Sequence, residues 1–242
     1  MSEANEAARR RPLYQQVHDR LVALIASGEW GPGQPIPPEA EIARRFRVAP
    51  GTARAAVSAL VSEKLVVRRH GRGTFVYEYT PEDEAARFLR LVDSNRKPIN
   101  PVGRMDRPTR GVANQTECRE LALAEASRVF RIKRLRERNG TPFALERISL
   151  PEALFPGLGE RDKLRDARYE LYQSLYRVLV VEVEDRLCAV AADSTAAREL
   201  KIAVGTPLIR IERVAFGLGA KPVEWRVSLC HLTDARYVAQ LK

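Results

Sequence analysis

Two arginines spaced two residues apart, Arg134 and Arg136, continue a row begun by Phe130 and Ile132 in a stretch that alternates from Val129 to Glu137. A period of two puts all four on one face of a strand, so the apolar pair carries the guanidinium groups toward a core. Arginine keeps its charge when buried, and its planar fork fits a carboxylate or a phosphate. The counter-charge within reach is Glu146, which lies beyond the hairpin dipeptide Asn139-Gly140. A two-residue loop pairs Lys133 with Glu146 and turns Glu146 away from the arginines. A three-residue loop from Arg138 to Gly140, with Gly140 left-handed, pairs Ile132 with Glu146 and brings it to their face. The longer loop is the expectation, because only then do charge and counter-charge share a cavity. On these residues alone the row is either a structural ion-pair network or the floor of an anion site.

A second group of residues lies earlier in the chain. Between Arg44 and Arg72 eight arginine or lysine side chains face one acid, Glu63. Ile42, Ala43 and Phe46 recur at helical spacing, Arg47-Val48-Ala49 reads as a tight turn, and Pro50 suits the first position of a second helix reaching Lys64. That helix is expected to bury Ala53, Val57, Leu60 and Val61 and to expose Thr52, Arg54, Ala55 and Ser58. So slim an outer face suits entry into a DNA major groove. A hairpin follows from Leu65 to Val76, with Gly71 and Gly73 at its tip among Arg69, His70 and Arg72. A helix-turn-helix with a basic, glycine-tipped wing fits a phosphate backbone; the plain alternative is a solvated basic surface.

The 242 residues suffice for two domains, each with its own core, and a net charge of +10 favours an acidic polymer as partner. No apolar run is long enough to span a membrane, and the N-terminus lacks the apolar core of a signal peptide. Cys118, Cys188 and Cys230 are far apart and odd in number, which argues for a reduced cytoplasm and against a zinc site or a disulfide frame. His18, His70 and His231 are isolated, and no metal or cofactor is expected.

The remaining elements follow from periodicity and turn residues. Pro12 opens a helix with the stripe Tyr14, Val17, Leu21, Leu24 and Ile25, closed by Gly28. Arg9, Arg10 and Arg11 precede it in a tail that either reaches DNA or is simply solvated. Lys64 occupies a position expected to be left-handed. Ala85, Phe88, Leu89 and Val92 suggest a short helix, and Asn95 to Arg110 is rich in proline and arginine with little periodicity. Thr116 is the expected cap of a helix carrying Leu121 and Leu123. Further on, a helix is expected at Leu171–Leu179, a strand at Val181–Ala191, a helix at Ser194–Leu200 and two strands at Leu208–Phe216 and Val223–His231. The fold class is α+β: residues 1–78 form a winged helix-turn-helix, 79–96 a linker, and 97–242 an antiparallel-sheet domain.

The N-terminal segment resembles the winged helix-turn-helix of the GntR family of bacterial transcription regulators. The resemblance rests on Pro37, Glu39, Ala43, Val48, Thr52, Arg54 and the run Gly71 to Val76. Ala49 and Pro50 stand where the family commonly has Ser-Arg, and Ala40 where many members place an arginine. The C-terminal half is similar to the UTRA effector domain of the HutC branch, a chorismate lyase-like fold. That similarity rests on Arg134-Leu-Arg136, Pro142 to Glu146, Ser174-Leu-Tyr176, Gly205-Thr-Pro-Leu, Arg213 and Pro222-Val-Glu224-Trp.

The resemblance implies a homodimeric, cytoplasmic transcription regulator, most simply a repressor, that binds double-stranded operator DNA and is controlled by a small anionic effector. The implied DNA-binding set is Glu39, Pro50, Gly51, Thr52, Arg54, Ser58, Arg69, His70, Gly71, Arg72, Gly73 and Thr74. The implied effector set is Arg134, Arg136, Glu146, Ser174, Glu224 and Tyr237. Ser174 bonds an effector oxygen or caps a helix; Glu224, alternating with Arg226 and Ser228, lines the pocket or lies on a wet face. Tyr237 closes over ligand or packs a terminal segment. Two rivals stand beside this reading. One is a lyase-like enzyme of aromatic carboxylates, although no nucleophile or general base stands beside the arginines. The other is an effector-independent repressor, of the kind found on mobile elements, whose pocket is filled by its own side chains.

Overall fold

A computed structural model describes residues 11–80, 88, 90–99, 102–160 and 168–239. It separates into two units, Met1–Tyr79 and Thr80–Lys242.

In the first unit, α1 (Leu13–Ser27) buries Val17, Leu21 and Ile25 and ends at Gly28, whose φ of 77° lets its N–H return to Ile25 and Leu24. Tyr14, expected on the buried stripe, is exposed. The turn between α2 (Glu39–Phe46) and α3 (Pro50–Ser62) begins with Arg47 in a left-handed conformation. Pro50 is the first residue of α3, which buries Ala53, Ala56, Val57 and Leu60. Ala56 thus takes the buried place expected of Val61, which is only partly covered. Lys64 is left-handed at φ 57°, and the N–H of Leu65 returns to Leu60 O, so the helix closes in a glycine-type cap made by lysine. Then β1 (Val66–Arg69) pairs antiparallel with β2 (Gly73–Val76). The wing is fastened on its far side, where Ile36 N donates to Thr74 O and Val76 N to Gln34 O, each at 2.8 Å.

The second unit is built on seven strands: β4 (Val102–Met105), β5 (Thr109–Val112), β6 (Arg128–Arg138), β7 (Thr141–Pro151), β8 (Glu182–Ala191), β9 (Pro207–Phe216) and β10 (Pro222–Cys230). They run antiparallel in the order β4-β6-β7-β10-β9-β8, with β5 also on β6. A separate ribbon joins β3 (Leu91–Asp93) to β11 (Ala235–Tyr237). Among the described residues the unit also carries the short helices α4 (Gln115–Glu120), α5 (Arg168–Tyr176) and α6 (Ser194–Leu200). The α6 helix buries Ala196, Ala197 and Leu200 against Leu135, Leu145 and Leu208, and Asp193 caps it by accepting from Ala196 N.

Several expectations are corrected here. The cap of α4 is Asn114, not Thr116: Asn114 and Glu117 exchange side-chain and backbone bonds in a capping box. Asn95–Arg110 contains β4 and part of β5, because the irregular spacing is compensated by pairing with the long edge of β6. Val92 belongs to β3, which pairs with a strand more than 140 residues away (Ala235 opposite Asp93) inside the segment read as linker. Phe88 is helical, whereas Ala85, Leu89, Arg9 and Arg10 lie outside the described residues. The helix expected at Leu171–Leu179 runs from Arg168 to Tyr176 and stops at a left-handed Arg177.

Candidate functional site

In the first unit the predicted DNA-binding residues fall on three adjoining elements. Glu39 opens α2, Thr52, Arg54 and Ser58 project from α3, and Arg69 to Thr74 form the wing. Glu39 links the first two groups: its carboxylate accepts from Arg54 Nε at 3.1 Å and from Arg68 Nη2 at 3.0 Å. Arg68 Nη2 also donates to Ser58 Oγ at 3.1 Å. Arg54, with 76% of its side chain exposed, is therefore steered without being buried. Arg68 is the residue the sequence reading left out of this set, and only the register of β1 beside α3 reveals it. At the wing tip Gly71 and Gly73 have φ of 68° and 111°, and the Arg69 guanidinium lies 4.6 Å from the Phe75 ring centre. Gly51 and Pro50 are exposed at the start of α3 and His70 at the wing tip, so none of the set is withdrawn into the core.

In the second unit the arginine row has its partner, by a different route from the one expected. The loop is the two-residue Asn139-Gly140, with both residues at positive φ, 52° and 76°. That loop alone would set Lys133 opposite Glu146. A bulge between Arg136 and Glu137 leaves Phe143 as the extra residue on β7, and beyond it Arg134 faces Glu146 directly. The three-residue loop and the Ile132–Glu146 pair are thus both replaced, while Glu146 still shares the arginine face.

Around Glu146 a charged network crosses five strands. Arg134, fully buried, meets Glu146 Oε2 through Nε and Nη2, and Arg136 Nε reaches the same oxygen at 3.3 Å. Arg226 Nη1 and Ser228 Oγ approach Oε1 at 3.6 and 3.3 Å. Arg226 Nε continues to Glu224 Oε1 at 3.3 Å, and Tyr172 OH donates to Glu224 Oε2 at 2.7 Å. On β9, Arg213 forks onto both oxygens of Asp185 at 2.6 Å, and Tyr237 OH donates to Asp185 Oδ2 at 2.6 Å. Glu224 is therefore buried rather than on a wet face, and Tyr237 is tied to the network. Ser174 is not part of it: its hydroxyl sits on the exposed side of α5, 3.5 Å from Leu171 O, and it caps nothing. Sequence reasoning missed Asp185 and Tyr172. Asp185 has no local signal, since its partner lies 28 residues away across a strand pair. Tyr172 lies one turn into α5, next to Leu171, where the helix is expected to start.

Burial opposes ionisation of Asp185, but the Arg213 fork and Tyr237 outweigh it and hold the carboxyl below the ordinary range. Burial, together with Asp185, pushes the Tyr237 hydroxyl up to about 12, so it stays a donor. Burial pushes the Cys230 thiol up to about 12 as well, leaving it unreactive at neutral pH. A depressed carboxylate stabilises the fold fully above its unfolded pKa, about 3.9, and loses that contribution as pH falls through the lower folded value. The melting temperature is accordingly expected to drop below about pH 4. The drop should be shallower for Asp185→Asn, which starts lower at pH 7; parallel acid limbs in a thermal melt series would contradict this.

The free space inside the network is about 50 Å3, bounded by Arg136, Glu146, Arg213, Arg226 and Tyr237 among others. That is well below the ~300 Å3 at which metabolite pockets begin.

A winged helix-turn-helix with an exposed arginine tethered by Glu39, joined to an antiparallel α+β unit with a buried arginine–carboxylate network, defines a transcription regulator with a sensor-type second domain. The UTRA domain family matches residues 104–236, and the family of bacterial regulatory proteins, gntR family, matches residues 13–76. The chain belongs to the GntR-family regulators that carry a UTRA domain, the HutC type, and it is a DNA-binding regulator, not an enzyme.

Among its relatives, a probable fructoselysine utilization operon transcriptional repressor of Escherichia coli is 28% identical over 218 residues, covering 90% of each chain. The HTH-type transcriptional repressor NagR of Bacillus subtilis is 28% identical over 206 residues, covering 85% of this chain and 84% of its own. The ligand-binding domain of a putative GntR-family regulator from Bordetella bronchiseptica superposes with a TM-score of 0.58 at 27% identity, covering 64% of this chain and 98% of its own. PhnF from Mycobacterium smegmatis shares the fold over 93% of this chain and 99% of its own, with a TM-score of 0.56 at 23% identity. No helix among the described residues is long and apolar enough to cross a membrane.

Proposed function

We propose that the protein is a cytoplasmic repressor that binds a pseudo-palindromic operator as a homodimer, one winged helix per half-site. The observation that carries this reading is the Glu39 tether: one carboxylate aims Arg54 and Arg68 outward beside the glycine-tipped wing. In this reading Thr52, Arg54 and Ser58 face the major groove, and the tip from Arg69 to Thr74 follows the backbone into the minor groove. Two relatives are named as repressors of utilization systems, for fructoselysine and for histidine, which supports repression over activation.

A small acidic effector would act at Arg134, Arg136, Glu224 and Tyr237, competing with Glu146 for the guanidinium groups. For such a ligand to lower operator affinity it must prefer the non-binding arrangement; a preference of about 1–3 kcal/mol gives about a 5- to 150-fold change. The packed network favours one other reading, an effector-independent repressor, because its cavity of about 50 Å3 is too small for a metabolite without rearrangement.

One titration tests both. Fluorescence anisotropy with a duplex from the region upstream of the gene is expected to show binding that weakens steeply with salt, the log–log slope being about −0.9 per phosphate contacted. No preference over a scrambled duplex at low salt would refute the repressor reading. If no acidic or phosphorylated metabolite shifts the operator titration or the melting temperature, the effector-independent reading replaces the sensor reading.

A further inference from the structure

The two faces of the sheet differ in what they leave unfilled. Opposite the charged network lies a groove of about 650 Å3, flanked by Asn114 and Glu117 of the first turn of α4 and by the α6 cap Asp193. That volume falls in the range of metabolite pockets, about 300–1,000 Å3. Five cationic side chains line it against three acids, and the acids are already engaged. Glu117 holds Arg131 and closes the α4 capping box, Asp193 caps α6, and Asp106 shares Lys133 with Glu199.

Arg147 is different. It stands near the middle of β7, exposed, with no ion pair among the described residues. In register beside it on β10 are Val227, opposite Arg147, and Trp225, opposite Ser149, which give the floor an apolar, partly aromatic surface. Two donors in the wall, Trp225 Nε1 and Arg210 Nε, are buried without an acceptor from the protein itself. Buried donors are almost always paired, so two orphans in one groove are a standing demand for an acceptor.

We propose that this groove is a second ligand site, separate from the arginine network on the other face, for a small molecule with an anionic group and a flat or apolar body. The anionic group sits on Arg147, the body lies over Trp225 and Val227, and its acceptors take up the orphaned donors after small rotations of the indole and guanidinium groups. The site does not depend on whether the network across the sheet binds an effector.

The test uses the full-length protein and two quenching probes, 4-nitrophenyl phosphate and 4-nitrobenzoate, which separate a phosphate from a carboxylate preference. Tryptophan fluorescence is expected to be quenched saturably by at least one probe, and that component is expected to vanish in Trp225→Phe. Arg147→Ala is expected to weaken binding about tenfold or more, or about 1.4 kcal/mol, while still binding operator DNA. No saturable quenching at millimolar probe overturns the proposal. Quenching that follows Arg136→Lys and ignores Arg147→Ala overturns it too, by placing the ligand on the opposite face. If the probes fail and Arg147→Glu instead changes the sedimentation of the ligand-free protein, a second copy covers the groove, and the proposal is again overturned.

Discussion

Arg54→Ala is expected to weaken operator binding about 5- to 150-fold at each half-site, so by roughly 25-fold at the least for a two-site operator. The reason is geometric. Arg54 extends from the second turn of α3 with most of its side chain in solvent, and Glu39 fixes its direction rather than hiding it. A guanidinium held in this way can fork onto a guanine edge, which the single ammonium of Arg54→Lys cannot do, so the lysine variant should fall between the two. Salt dependence separates two roles for the arginine. If Arg54 reads a base, the log–log slope is unchanged in the alanine variant; if it meets a phosphate, the slope drops by about 1. Anisotropy titration of folded variants, checked by circular dichroism, gives both quantities, and an affinity within twofold of the unaltered protein would remove Arg54 from the interface.

Glu146→Ala is expected to destabilise the second unit by about 3–5 kcal/mol, a large share of the total stability of an ordinary domain. One carboxylate meets three guanidinium groups, those of Arg134, Arg136 and Arg226, in a region where Arg134 is wholly excluded from water. Removing it leaves like charges together in the interior, which costs more than the loss of the bonds themselves. Arg134→Met should cost less than half as much, because Glu146 keeps Arg136, Arg226 and Ser228 and the methionine fills much of the space. Urea unfolding followed by tryptophan emission measures the asymmetry. Equal costs for the two variants would show that charge balance is not what the network supplies.

The lesson of Glu146 extends to the rest of the chain. Helix boundaries near Pro50, Gly28 and Asp193 follow from local chemistry: a missing N–H, a residue free to be left-handed, a side chain that accepts from the first turn. The same is true of the wing, whose glycines and basic flanks are contiguous in the chain. The caps of α4 and the start of α5 were misplaced because Asn114 competes with Thr116, and Tyr169 and Tyr172 are held by partners on β10.

By itself the chain's order of residues determined two domains, a basic winged helix-turn-helix and an antiparallel sheet bearing a core-facing arginine row. Those features depend on neighbours within a few positions, where backbone geometry and side-chain period leave few choices. Only the tertiary structure decided that a bulge at Phe143, not a longer loop, sets Arg134 against Glu146, that Asp185 answers Arg213, and that the roomy face of the sheet is the one bearing Arg147. Pairing across strands depends on register, and one extra residue moves every partner by a position. That quantity is fixed by the packing of the whole sheet rather than by any local stretch.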